Sequence, residues 1–125
     1  MLNNIVLVGR LTRDPELRYT SGEGIPVANF TLAVDRGFKN RDGEKEADFI
    51  RIVAWNKQAE NIANYMSKGR LVAVEGRLQI RSYEDQEGTR KTIAEVVARG
   101  VTFLPDGKGN GNGNESANDQ EYVPF

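Results

Sequence analysis

Strict two-residue alternation of apolar and polar side chains constrains this chain most, because it commits several stretches to strands with two unlike faces. In residues 49–55, Ile50, Ile52 and Ala54 fall on one side of an extended strand, and Phe49, Arg51 and Trp55 fall on the other. Residues 77–83 repeat the arrangement. Leu78 and Ile80 are expected to enter a core, which leaves Arg77, Gln79, Arg81 and Tyr83 opposite them, a row too charged to bury and too aromatic for an ordinary solvated face. A lone aromatic on a strand is more often core than site. Two strands with the same mixed face point instead to a surface suited to unpaired nucleic acid, where a ring stacks on a base for roughly 1–3 kcal/mol and an arginine neutralises the neighbouring phosphate.

With 125 residues the chain has room for one domain plus an appendage, and for a core that needs no disulfide or metal. It contains no cysteine and no histidine, which removes thiolate and imidazole zinc sites, cysteine nucleophiles and the commonest general base. The apolar run Ile5, Val6, Leu7, Val8 is too short for a signal peptide core or a membrane span, so a cytoplasmic location without membrane contact is expected. Net charge is −1, but residues 105–125 hold Lys108 against Asp106, Glu115, Asp119 and Glu121, leaving 16 basic against 14 acidic residues in the body. That excess is small. Attraction to phosphate must therefore come from where Arg51, Arg77 and Arg81 sit rather than from overall charge.

Along the chain, the four-residue apolar run before Gly9 reads as a strand covered on both faces, suited to a subunit contact. Turn signals at Asp14-Pro15 and at residues 21–24 bracket a short strand, residues 16–19. Residues 27–35 alternate again, with Ala28, Phe30, Leu32 and Val34 on one side. The polar run 37–47, with Phe38 near its start, is expected to be a mobile loop. One helix follows residue 55: Asn56 is placed to cap it, Ala59, Ile62, Ala63 and Met66 form its apolar stripe, and Gly69 is placed to end it. Residues 70–83 and 91–104 read as two long strands joined by a polar tip containing Gly88. About five strands and one helix suggest a small closed sheet, an all-β architecture without open edges.

After Leu104 the pattern stops. Residues 105–118, rich in glycine and asparagine, read as a flexible linker of about 20 Å end-to-end distance. The chain closes with Asp119, Gln120, Glu121, Tyr122, Val123, Pro124 and Phe125, an acidic stretch leading into an apolar tip with a free carboxylate. Such a tip on a flexible arm resembles a docking peptide more than a frayed end.

These residues resemble one family, the bacterial single-stranded DNA-binding proteins, over nearly the whole chain. The similarity lies in residues 3–11 and 14–19 (NNIVLVGRL and DPELRY), in 27–33 (VANFTLA), in 68–78 (KGRLVAVEGRL) and in the acidic tip ending in Pro-Phe. The resemblance implies an OB fold, a five-stranded barrel with one helix over residues 1–104, assembled as a homotetramer with single-stranded DNA wrapped over its surface. No cofactor and no metal are implied. The family's stacking positions fall on Phe38, Phe49, Trp55 and Tyr83, and its basic positions on Arg51, Lys57, Lys68 and Arg81, with Arg77 added by the alternation above. The family often has tryptophan where this chain has Phe38, Phe49 and Tyr83, so weaker stacking is expected there. In the family, the terminal Phe enters an apolar pocket on replication and repair proteins. That role carries to Pro124 and Phe125, and with them Asp119, Glu121, Tyr122 and Val123, on a linker shorter and an acidic cluster sparser than the family's.

Two other readings share parts of this pattern. An OB-type adaptor would present the same aromatic face to a protein, and the fold alone does not separate the two. A metal-dependent hydrolase would need convergent carboxylates on rigid elements, whereas Asp42, Glu44, Glu46 and Asp48 lie in a charged run of the kind usually solvated. The glycine–asparagine run lacks the lysine-hydroxyl pair and the flanking strand and helix of a phosphate loop.

Overall fold

In the computed structural model, which describes residues 1–105, the alternating stretches form strands β1 (Ile5–Leu11), β2 (Glu16–Tyr19), β3 (Pro26–Lys39), β4 (Lys45–Trp55), β5 (Leu71–Glu84) and β6 (Arg90–Phe103), with helix α1 (Asn56–Tyr65) between β4 and β5. The strands follow the order β1-β5-β6-β4-β3-β2, and β1 also pairs with β3 through Arg10↔Ala33 and Leu11↔Leu32. That second pairing closes the sheet. The result is a five-stranded barrel of β1, β3, β4, β6 and β5 with β2 appended along the start of β3, the connectivity of an OB fold. All pairings are antiparallel except β4 with β6, which run parallel across Arg51↔Glu95, Ile52↔Val96 and Val53↔Val97.

One side of each strand fills the barrel. Ala28, Phe30 and Leu32 of β3, Ile52 and Ala54 of β4, Val72 and Val74 of β5 and Val96 of β6 are buried together, as the period-two reading requires. The helix closes one end with Ala59, Ile62 and, just past its last turn, Met66. Two glycines permit the tight closure. A Cβ on Gly9 would stand 2.5 Å from the Ala33 carbonyl oxygen where β1 crosses from β5 to β3, and one on Gly76 would collide with the Val97 carbonyl at the β5 register shift.

Within one chain Val6 and Val8 are exposed, because β1 alternates and only its Ile5 and Leu7 side turns inward. Other expectations fail for local reasons. Leu78 and Ile80 do not enter the core. Leu78 pairs with the buried Val96, but both Leu78 and Ile80 lie beyond the Gly76 bulge and beyond the last β1 partner, so β1 no longer flanks them; at Leu78 β6 still pairs with β4, and from Ile80 onward β5 and β6 continue as a two-stranded arm. Only Asn3 reaches along that edge, accepting from Leu78 N–H at 2.8 Å and donating to its carbonyl at 3.0 Å.

The run 37–47 is a second arm rather than a loop. β3 and β4 continue through it to a tight turn in which Asn40 Oδ1 accepts from the N–H groups of Asp42 and Glu44 at 2.9 and 3.0 Å. Alternating charges hid this strand from a reading based on apolar period: Arg36 of β3 reaches across to Glu46 at 2.8 Å and Asp48 at 2.7 Å on β4, so ion pairs rather than apolar contacts span the two strands of the arm. Asn56 is not the cap: Trp55 holds the N-cap position without a side-chain capping bond, and Asn56 opens the helix at a positive φ of 62°, which asparagine tolerates better than most residues. Gly69 does not end the helix. The last helical bond runs from Met66 N–H to the Ile62 carbonyl, and Gly69 belongs to the following turn, where its N–H donates to Leu11 at 2.8 Å.

Candidate nucleic-acid interface

The outward side of β4 carries Phe49, Arg51 and Trp55, and that of β5 carries Arg77, Gln79, Arg81 and Tyr83. The two strands are not neighbours. β6 lies between them, so their side chains rise on either side of a central row. Phe49 is 69 % exposed, Trp55 41 % and Tyr83 43 %, far above what a core ring shows. On the β3 side the cross-strand partner of Phe49 is Ala33 and that of Trp55 is Val27, both too small to cover a ring.

At the centre of the face stands Glu95 of β6, across from Arg51 on one flank and Gln79 on the other. Its Oε2 accepts from Arg81 Nε at 3.0 Å and from Gln79 Nε2 at 3.1 Å, and its Oε1 lies 3.5 Å from Arg51 Nε. The carboxylate is buried, while the two arginine side chains remain nearly half exposed. Alternation in β4 and β5 located both arginines and missed this acid. A signal was present, since Glu95 is a single charge set among Ile93, Ala94, Val96 and Val97. Val53, also on this side, is buried as well, so the face has a covered floor beneath exposed rings and guanidinium groups.

A groove of about 490 Å³ continues from Arg51 between the β1–β2 connection and β3, lined by Thr12, Arg13, Asp14, Asn29 and Thr31 among others. Lys68, in the turn between α1 and β5, is exposed and donates its N–H to Asp14 at the rim of this groove. Lys57 is exposed on the first turn of α1, and Phe38 is 63 % exposed on the β3–β4 arm. The sequence-derived residues thus fall into a group on the outward side of β4 and β5 (Phe49, Arg51, Trp55, Arg77, Arg81 and Tyr83), of which Arg51 and Arg81 meet Glu95, and three outliers: Phe38, Lys57 and Lys68. Asp119, Glu121, Tyr122, Val123, Pro124 and Phe125 lie outside the described residues, as does nearly all of the expected linker.

On the arm, a hydrogen bond from Arg36 holds the Asp48 carboxyl below the usual carboxylate range, and the same bond raises the Arg36 guanidinium above its own. Arg36 is thereby committed to Asp48 and Glu46. These two acids are held by a cation, and among the described residues no cluster of three acidic side chains is arranged to hold a metal ion.

Residues 2–104 match the sequence model of the Single-strand binding protein family. The chain is 58 % identical over 119 residues to single-stranded DNA-binding protein 3 of Clostridium acetobutylicum, an alignment that covers 95 % of this chain and 81 % of the relative. It is 64 % identical over 104 residues to the single-stranded DNA-binding protein of Halalkalibacterium halodurans, covering 83 % and 61 %. Against single-stranded DNA-binding protein A of Bacillus subtilis it is 56 % identical over 119 residues, covering 95 % and 69 %.

Proposed function

The chain belongs to the single-strand binding protein family, and on that premise we propose that it coats single-stranded DNA without strong sequence preference, catalysing nothing. One observation carries this reading: exposed rings of Phe49, Trp55 and Tyr83 share the outer side of the sheet with Arg51 and Arg81. Bases stack on the rings while the guanidinium groups meet the phosphates, and neither contact reads a base edge, so binding is tolerant of sequence and weakens with salt. Phe38 extends the stacking surface along the β3–β4 arm. Arg77, Lys57 and Lys68 guide the backbone at its margins.

Residues 1–104 form the binding domain, 105–118 the linker, and 119–125 a tip that recruits proteins of replication, recombination and repair. In that role Phe125 and Pro124 enter an apolar pocket on the partner, with Val123, Tyr122, Glu121 and Asp119 beside them. The protein acts as a cytoplasmic, nucleoid-associated homotetramer. Self-association is supported by β1, whose residues 5–9 pair only with β5 among the described residues and whose Val6 and Val8 are exposed, an open apolar edge that a second copy would cover.

Trp55 is the single tryptophan of the chain and reports the binding directly. Its fluorescence should fall on addition of oligothymidylate and recover as salt is raised. Unchanged emission, together with no retardation of labelled single-stranded DNA, would sink the proposal.

A further inference from the structure

Among the described residues Glu95 is the one buried side chain that carries charge, and it sits at the middle of the proposed binding face. Burying a carboxylate is costly unless it is paired and its oxygens are satisfied. Here both conditions are met from the outer side only. Arg81 reaches Oε2 through Nε at 3.0 Å and Oε1 through Nη2 at 3.4 Å, Gln79 donates to Oε2 at 3.1 Å, and Arg51 Nε lies 3.5 Å from Oε1. The acid is 4 % exposed and the two arginines 45 % and 46 %. All three donors are exposed or half-buried side chains on the binding face, so each helps to cover the acid while keeping part of itself open to a ligand.

We infer that Glu95 is a positioning residue that also sets the charge of this face: it holds Arg51 and Arg81 in place and cancels one of their two positive charges, so the trio meets a DNA backbone as a single net cation. This rests on the reading of the face as a single-stranded DNA interface. Two uncompensated arginines would draw phosphate onto the centre of the face and make binding strongly salt-dependent. With Glu95 beneath them that pull is halved, and base stacking supplies a larger share of the affinity. The centre is then better suited to bases, and the margins to the backbone.

The test is a charge cycle read through salt dependence, with oligothymidylate binding to the full chain followed in wild type, E95Q, R81Q and E95Q/R81Q. Glutamine keeps the size of Glu95 and one acceptor oxygen. E95Q should bind more tightly at low salt and steepen the plot of log affinity against log salt by about 0.7, which is an extra loss of about 2.6-fold between roughly 50 and 200 mM. R81Q should flatten the plot by a similar amount. The double variant, which restores the wild-type charge, should restore its slope. A purely structural Glu95 gives weaker binding in E95Q at an unchanged slope and no restoration in the double variant, and either result overturns the inference. Should E95Q prove unfolded by circular dichroism, the same step is read between R81Q and E95Q/R81Q: a steeper slope in the double variant supports the inference, and equal slopes overturn it. A wild type that fails to bind removes the single-strand reading and this inference with it. Wild-type binding with slopes that ignore the charge at position 95 removes the inference alone.

Discussion

Two exposed surfaces of this barrel are partly apolar, and they differ in what accompanies the apolar atoms. On the outer side of β4, β6 and β5 the exposed groups are rings, interleaved with guanidinium groups over a buried carboxylate. On β1 they are the aliphatic side chains of Val6 and Val8, beside a backbone edge that only β5 pairs among the described residues. A flat ring with a cation beside it suits a ligand that is planar and anionic, since stacking uses the face and charge uses the margin. Branched aliphatics beside open N–H and C=O groups suit another polypeptide, which supplies apolar cover and hydrogen bonds together. On the proposed reading, one surface suits nucleic acid and the other suits protein, told apart by chemistry rather than by the degree of exposure.

The contrast breaks most sharply at the rings. Replacing Phe49 and Trp55 together with alanine should cost about 2–6 kcal/mol of single-stranded DNA affinity, at roughly 1–3 kcal/mol per base platform, measured by polarisation of labelled oligothymidylate because the tryptophan is gone. Neither side chain fills the barrel, so the melting temperature should move little. If affinity survives the loss of both rings, the face is not a stacking platform. If stability collapses instead, they were packing residues after all.

The second surface responds to a different change. Val8→Glu places a charge on the exposed side of β1, and it should lower the mass in sedimentation from that of an assembly toward that of one chain. A single protomer's affinity for a short oligonucleotide should stay within about twofold, because Val8 lies on the far strand of the barrel from Phe49 and Trp55. Loss of DNA binding with unchanged mass would mean that the two surfaces have been assigned the wrong way round.

How far these surfaces could be read in the sequence depended on what set each local structure. Where burial set it, as at Ala28, Phe30, Leu32, Ile52 and Ala54, period two gave the inward side correctly, and the same period placed Phe49, Arg51 and Trp55 outside. Barrel closure was legible only as an expectation from strand number. The pairing that achieves it, Leu11 with Leu32 and Arg10 with Ala33, joins segments 21 and 23 residues apart and leaves no local pattern. Leu78 and Ile80 misled because alternation reports which side a residue occupies and not where the barrel ends beneath it. The 37–47 arm misled for the opposite reason: its strands are bridged by Arg36, Glu46 and Asp48, and hydrophobic period is blind to them. Glu95 was missed because its partners come from two other strands, one of them parallel.

That ion-paired arm supplies the smallest test and the one that reads pH. Asp48 titrates below the usual carboxylate range because Arg36 hydrogen-bonds its charged form. A depressed carboxyl contributes stability that is fully present above its unfolded pKa and is lost as pH falls through the lower folded one. Arg36 is shifted the other way, and its contribution is constant through the acid range because it stays charged throughout. Hydrogen-exchange protection of the arm amides, such as those of Asn40 and Glu44, should therefore hold from neutral pH down to the usual carboxylate range and fall only below it. Asp48→Asn should start from lower protection at neutral pH and lose this acid step, with the barrel amides of Val72 and Val74 unaffected in both proteins. Because Phe38 rides on the arm, the variant should also bind single-stranded DNA slightly less well at neutral pH, by less than R81Q. An arm whose protection ignores both the substitution and the acid would show that hydrogen bonds at the Asn40 turn, and not the Arg36 pairs, keep β3 and β4 together beyond the barrel.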